Sequence, residues 1–284
     1  MSGEDLAIHR LAAFTDDPAG GNPAGVVITD EPLPEDRMQR IAAEVGYSET
    51  AFLAAPAPGR RAWQVRYFSP VSEVPFCGHA TIASAVQLGR EVGAGAFAFH
   101  LRSGTVDVEV ADREGRPVAT LRSVTPEVQD ASAELATEVL SACGVGGDVL
   151  DDRYPPAVAF AGARHLLLVL REREVLRGLA YDFDRVLAAM RAEDLTTVAY
   201  LWPDQAGRWH ARNLFPIGGV VEDPATGAAA AAFGAYLRAI GAIEPPASFE
   251  ILQGEDLGRP ASLRVTVPAG TGGIDVAGTA VDIT

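Results

Sequence analysis

VRYFSPVSEVPFCGHAT, Val65 to Thr81, returns 146 positions later as ARNLFPIGGVVEDPATG, Ala211 to Gly227. Without a gap, Arg66 meets Arg212, Pro70 meets Pro216 and Val74 meets Val220. Each copy ends in a turn that runs into an alanine-rich helical segment, Ala80 to Gly89 in the first and Ala228 to Ile240 in the second. Three identities are few, yet the shared register and strand-turn-helix outline divide the chain into two similar halves. The ungapped match sets Cys77 opposite Asp223 and Ala80–Leu88 opposite Thr226–Gly234. Polar groups at the mouths of two related helices can grip one small molecule, and this places the chemistry in a cleft between the halves.

Working outward, strands are expected over Leu6 to Phe14, Gly25 to Thr29, Glu49 to Ala54 and Ala62 to Phe68. Pro34 to Val45 carries Met38, Ile41, Ala42 and Val45 at helical spacing, with acids in the first turn. Ala80 to Gly89 is apolar nearly all round, the mark of a buried helix, and Gly89 is expected to end it. The second half repeats the plan. It has a strand-like run from Ala157 to Leu170, a helix over Phe183 to Met190, strands over Thr196 to Trp202 and Trp209 to Asn213, and then the second buried helix. Strands close the chain from Leu263 onward. The fold class is therefore α+β, two pseudo-symmetric halves with strands wrapped around a central buried helix. The expected division is 1–122 and 123–284, with the C-terminal tail packing back on the first half.

Composition narrows the function. A net charge of −15 disfavours nucleic acid, and every one of the 23 basic residues is arginine, with no basic cluster to offset it. No apolar run reaches the ~20 residues a bilayer span needs. The N-terminus, MSGEDLAIHR, lacks a basic stretch followed by an apolar one, which argues against a signal peptide. Two cysteines, Cys77 and Cys143, make no disulfide framework, and a cytoplasmic protein is expected. Neither cysteine forms a metal-ligand set with the five scattered histidines, and Gly144 to Gly147 lacks the context of a dinucleotide fingerprint.

Several motifs point one way: GNPAGVV (Gly21 to Val27), YSETAFL (Tyr47 to Leu53), RYFSPVSEVPFCGHATIASA (Arg66 to Ala85), EDPATGAAAAAFGAYL (Glu222 to Leu237) and QGEDLGRPASL (Gln253 to Leu263). In this order they resemble the PhzF-like phenazine-biosynthesis isomerases of the diaminopimelate epimerase superfamily. The resemblance implies two diaminopimelate-epimerase-like halves, a small carboxylate-bearing substrate, catalysis without metal or organic cofactor, and a homodimer.

Residue by residue, Glu49 on its own reads first as a solvated strand-end acid. The resemblance makes it the proton-transfer group, able to take a proton from one carbon and return it to another. Ser48 beside it donates to a substrate carboxylate or bonds its own backbone. His79, at the start of the first buried helix, reads on its own as structural; the resemblance implies that it sits in the substrate pocket, with Gly78 beside it, as a catalytic hydrogen-bond partner or proton relay. Asp223 on residue grounds is a helix N-cap, and the resemblance adds that it holds a substrate amino or hydroxyl group. Gly227 and Ala228 line the same turn, and Ala228 stands where family members often carry serine. Cys77 lines the pocket as a small buried side chain, and Cys143 is structural. Two rival readings remain. One is an amino-acid racemase or epimerase using Cys77 with Glu49 or Asp223 as the opposite acid. The other is a metabolite-binding protein without turnover.

Overall fold

β1 (His9–Ala13) and β2 (Asn22–Thr29) pair antiparallel. Between β2 and β3 (Glu49–Ala54) runs α1 (Glu35–Val45), which buries Met38, Ile41, Ala42 and Val45 and stops at Gly46 in the left-handed region. β3 joins β2 in parallel, β4 (Ala62–Phe68) joins β3 antiparallel, and the short β5 (Glu73–Val74) joins β4 antiparallel. α2 (Gly78–Val92) then carries the chain back, so that β6 (Gly95–Leu101) pairs parallel with β4. β7 (Gly104–Arg113) and β8 (Arg116–Arg122) follow as antiparallel hairpins. In this computed structural model the described residues are 6–55 and 61–283. The first residues of the stretch read above for a signal peptide lie outside them.

α2 runs three residues beyond the expected stop. Gly89 is there for another reason: a Cβ at this position would meet Val110 Cγ1 of β7 at 2.7 Å. The glycine lets helix and strand approach closely, and the helix ends instead at Gly93. All of His79 to Leu88 is buried, because α2 is packed against β1, β2, β3 and β7.

The second half begins with β9 (Glu127–Asp130) and α3 (Ala133–Ala142). The run expected as one strand from Ala157 to Leu170 is a hairpin, β10 (Ala157–Phe160) and β11 (Arg164–Val169). Gly162, at φ 105, makes the reversal that a continuous strand would not need. α4 (Arg173–Arg177) and α5 (Phe183–Ala192) precede β12 (Thr197–Pro203), β13 (Trp209–Leu214) and β14 (Glu222–Asp223). α6 (Gly227–Ala239), β15 (Ala247–Gln253), β16 (Ala261–Val267), β17 (Asp275–Gly278) and β18 (Ala280–Asp282) complete the chain. β18 pairs antiparallel with β1. Two compact units result, Met1–Leu121 with Ala277–Thr284, and Arg122–Val276. Among the described residues no helix is long and apolar enough to cross a membrane.

The two units carry one ladder twice. β10 pairs with β11 as β1 does with β2, both antiparallel. β11 and β12 are parallel like β2 and β3. β12–β13 and β13–β14 are antiparallel like β3–β4 and β4–β5. β13–β15 is parallel like β4–β6, and β15–β16 antiparallel like β6–β7. The two-half reading and the α+β class hold.

The ungapped register does not hold. Four residues, 69–72, connect β4 to β5, whereas seven, 215–221, connect β13 to β14 and include a 3₁₀ turn at Pro216–Gly218. Beyond this loop every equivalence moves three places. Glu73 and Val74, paired with Phe68 and Tyr67, correspond to Glu222 and Asp223, paired with Leu214 and Asn213. The helix caps shift with them: Cys77 caps α2 and Thr226 caps α6. Cys77 therefore corresponds to Thr226 and not to Asp223, and Ala80–Leu88 corresponds to Ala229–Leu237. The same shift removes Asp223 from the N-cap position it was expected to hold.

An ion pair marks the corrected register. Arg66 Nε donates to Glu73 Oε1 at 2.7 Å, and Arg212 Nε donates to Glu222 Oε1 at 3.1 Å. Both pairs tie the end of the antiparallel strand to the short strand that leads into the buried helix.

Candidate active site

Glu49 opens β3 with its side chain 17% exposed, opposite Ala24 of β2. Its Oε2 lies 3.4 Å from His79 Nε2 and 3.6 Å from Cys77 Sγ. Cys77 Sγ is 3.7 Å from His79 Nε2, and Ser48 Oγ is 3.4 Å from the same nitrogen. Cys77 and His79 are buried, and Ser48 is exposed at the rim. The sequence readings Glu49, Ser48, Cys77 and His79 are thus brought together, with Gly78 between two of them as the first residue of α2.

The surroundings fix this group firmly. Thr81 donates from both its N–H (3.0 Å) and its Oγ1 (2.7 Å) to the Cys77 carbonyl. Since the Thr81 hydroxyl hydrogen is spent there, the Tyr67 hydroxyl must be the donor in its 2.6 Å contact with Thr81 Oγ1. Tyr67 is fully buried, and that burial raises its pKa far above the ordinary phenol range. Cys77 caps α2, and the positive end of that helix, at Gly78, favours an anion.

Asn22 was missed by the sequence reading. It is almost wholly buried, and its Nδ2 lies 3.1 Å from His79 Nδ1. An amide that donates to Nδ1 leaves the imidazole hydrogen on Nε2, facing Glu49 and Ser48. Its signal was its place inside GNPAGVV. Cys77 and His79 also belong to a ligand-like set after all, against the sequence expectation. With Glu49 they offer one donor atom each, all within 4.8 Å of one another.

In the second unit Asp223 accepts a 2.6 Å hydrogen bond from Thr226 Oγ1. Gln253, also missed although it opens QGEDLGRPASL, holds both residues. Its Nε2 donates to the Asp223 carbonyl (2.7 Å) and to Thr226 Oγ1 (3.0 Å), while its Oε1 accepts from the Thr226 N–H at 3.2 Å. Gly227 and Ala228 are the first residues of α6 and hold the places of Gly78 and His79. The ladder places Thr197 where the first unit has Glu49. Thr197 Oγ1 donates to Asn213 Oδ1 at 3.0 Å and accepts from His165 Nδ1 at 2.8 Å. The carboxylate that opens β3 thus has a hydroxyl at the corresponding place on β12.

The sequence model of the phenazine biosynthesis-like proteins, PhzC-PhzF, matches residues 11–284. The chain belongs to the phenazine biosynthesis-like family. Within it, trans-2,3-dihydro-3-hydroxyanthranilate isomerase of Pseudomonas aeruginosa is 34% identical over 261 residues, 90% of this chain and 89% of that protein. The enzyme of that name from Pseudomonas fluorescens is 33% identical over 250 residues, 88% of this chain and 86% of that one. A PhzF-family phenazine biosynthesis protein of Bacillus anthracis shares the fold, with a TM-score of 0.88 at 24% identity, covering 98% of this chain and 96% of that one. A hydroxyproline epimerase of Agrobacterium vitis superposes with a TM-score of 0.64 at 15% identity, over 98% of this chain and 89% of that one. The fold is that of the epimerase-like proteins, and the enzyme class of this phenazine biosynthesis-like chain is isomerase.

Cys143 takes no part in the cluster. It closes α3 and lies 3.2 Å from the Tyr200 hydroxyl, and burial raises its pKa. Gly144, at φ 71, lets the chain leave α3, which accounts for the start of that glycine cluster.

Proposed function

We propose that this isomerase moves a proton between two carbons of a small, carboxylate-bearing metabolite without metal or organic cofactor. Glu49 takes the proton from one carbon and returns it to the other. His79 supplies a hydrogen-bond donor or relay, and Ser48 with the positive N-terminal end of α2 binds the carboxylate. Asp223, fixed by Thr226 and Gln253, is an acceptor for a substrate amino or hydroxyl group. The observation that carries the reading is the Glu49 carboxylate, partly exposed and within 3.4 Å of an imidazole at a helix start. The substrate named for the Pseudomonas aeruginosa relative is the first compound to test.

Turnover in heavy water should place solvent deuterium on the product carbon, which a protein that only binds metabolites would never do. Glu49→Gln keeps the shape and removes the base, so turnover should fall ~10²-fold or more while ligand still binds. Near-normal turnover in that variant would remove Glu49 from the mechanism.

The racemase reading draws on the Cys77 thiol lying 3.6 Å from Glu49. A two-thiol mechanism needs a second sulfur at the matching cap, and Thr226 stands there. Cys77→Ala should accordingly cost less than about tenfold in turnover, or ~1.4 kcal/mol. A loss above a hundredfold, with inactivation by alkylation at Cys77, would favour the racemase.

A further inference from the structure

The connection from β2 to α1 is short, residues 30–34, whereas that from β11 to α5 runs over residues 170–182 and includes α4. α1 and α5 hold the same place in the repeated ladder, so no counterpart of α4 precedes α1. Where α4 packs on β12 in the second unit, the first has a cavity of about 330 Å³ on the matching face. Leu33, Met38 and Phe52 form its apolar floor, with Gln64, Arg66 and Arg102 at the rim. Glu49 opens β3, and the cavity lies along the other end of that strand, at residues 52–54.

Strand pairing shows what an occupant of this cavity would touch. Phe52 pairs with Arg66 as Tyr200 does with Arg212, and Ala54 pairs with Gln64 as Trp202 does with His210. Arg212 spends Nε and Nη2 on Glu222. Its Nη1 donates to the carbonyls of Leu176 and Leu179 at 2.9 Å and of Arg177 at 3.2 Å. These are carbonyls of the kind a helix leaves open at its C-terminal end. Arg66 likewise spends Nε and Nη2 on Glu73 and Glu35, and its guanidinium lies over the Phe68 ring. Among the described residues its Nη1 has no hydrogen-bond partner. We infer that this cavity docks the helix end of another protein, a short turn that sets a leucine-sized side chain on Met38 and Phe52 and its last carbonyls on Arg66.

Charge selects the same occupant. Arg66 and Arg102 are balanced by Glu35 and Glu73, which pair with both arginines. A free carboxylate would gain little net attraction there, whereas the partial negative charge of a helix C-terminus suits an arginine donor. Leu176 is wholly buried in the second unit, and it shows the side chain that such a seat takes. Ala54, standing where the second unit has Trp202, widens the space for it.

The probe that tests this is a fluorescent peptide with the sequence of residues 171–180, capped at both ends. A covalent bridge joins positions 174 and 177, which are exposed and ion-paired in α4, so that the turn is formed before binding. Titration with the intact protein should raise its anisotropy to saturation at one peptide per chain. Arg66→Ala should weaken binding at least about tenfold, as loss of a charged donor does. Gln64→Trp, at an exposed position, puts bulk across the mouth and should abolish binding. A Leu176→Asp peptide should fail to bind the unmodified protein. Absence of saturation, or binding that survives both protein variants or the change in the peptide, would overturn the site. So would a dimer of the unmodified chain that Gln64→Trp turns into monomer, because a second copy would then be the occupant.

Discussion

His165 sits on β11 with no exposed surface, bonded through Nδ1 to Thr197, and among the described residues its Nε2 has no hydrogen-bond partner. Because Thr197 gives its hydrogen to Asn213, the imidazole must donate from Nδ1, leaving Nε2 a bare acceptor. Burial pulls its pKa from the ordinary 6.5 down to about 3. Between those values the unfolded chain binds the extra proton and the folded one does not, so stability falls as pH drops from 6.5 toward 3. The slope is about 1.4 kcal/mol per pH unit, and this group adds nothing above 6.5. His165→Asn keeps a donor near Thr197 and removes the titration. Urea midpoints at pH 7, 6 and 5 should fall less steeply in the variant, and equal slopes would refute the assignment. At this scale the site was half legible. YSET and CGH led to Glu49, Cys77 and His79 through their resemblance to family motifs, since residue type alone reads Glu49 as a solvated acid and His79 as structural. Asn22 and Gln253 stand inside quoted motifs but look like ordinary amides there, and Thr197 stands in none; only the folded chain shows what they hold.

Among the elements, β13 and β14 are joined by an ion pair that is more enclosed than its counterpart between β4 and β5. Arg212 and Glu222 are 11% and 4% exposed, against 22% and 21% for Arg66 and Glu73. Arg212 also donates to the carbonyls of Leu176 and Leu179, each at 2.9 Å, and so fastens α4 and the turn after it. Arg212→Ala leaves a buried carboxylate alone and should cost about 3–5 kcal/mol of stability in chemical denaturation. Arg66→Ala breaks the wetter pair and should cost much less, as surface pairs do. Equal losses would mean that burial does not separate them. The bounds of β3 and β4 were readable from their apolar and turn residues, and the buried helices from their lack of a polar face. The three extra residues before β14 were not. Pro70 with Pro216 and Val74 with Val220 offered an ungapped match, and hydrogen bonding between strands overrules it. α3 was readable but missed: Ser132 caps it, and Leu135, Ala136, Val139 and Leu140 repeat at helical spacing.

For the whole molecule, a net charge of −15 in 284 residues makes long-range repulsion the dominant electrostatic effect. Raising salt from about 0.01 M to 0.15 M shortens the screening length from about 30 Å to about 8 Å. The melting temperature should rise by a few degrees over that range. A fall would show that exposed ion pairs such as Arg122–Asp275 contribute more than the repulsion does. The pairing of β18 with β1 has a different consequence, one of time. Arg122–Val276 is continuous in the chain, but its neighbour needs segments from both sides of that stretch. A ribosome delivers β1 early and β18 only after all of the intervening unit has been made. The unit bearing Glu49, although begun first, is therefore the last to close, and its unpaired β1 edge waits in the cell while its younger neighbour is already complete.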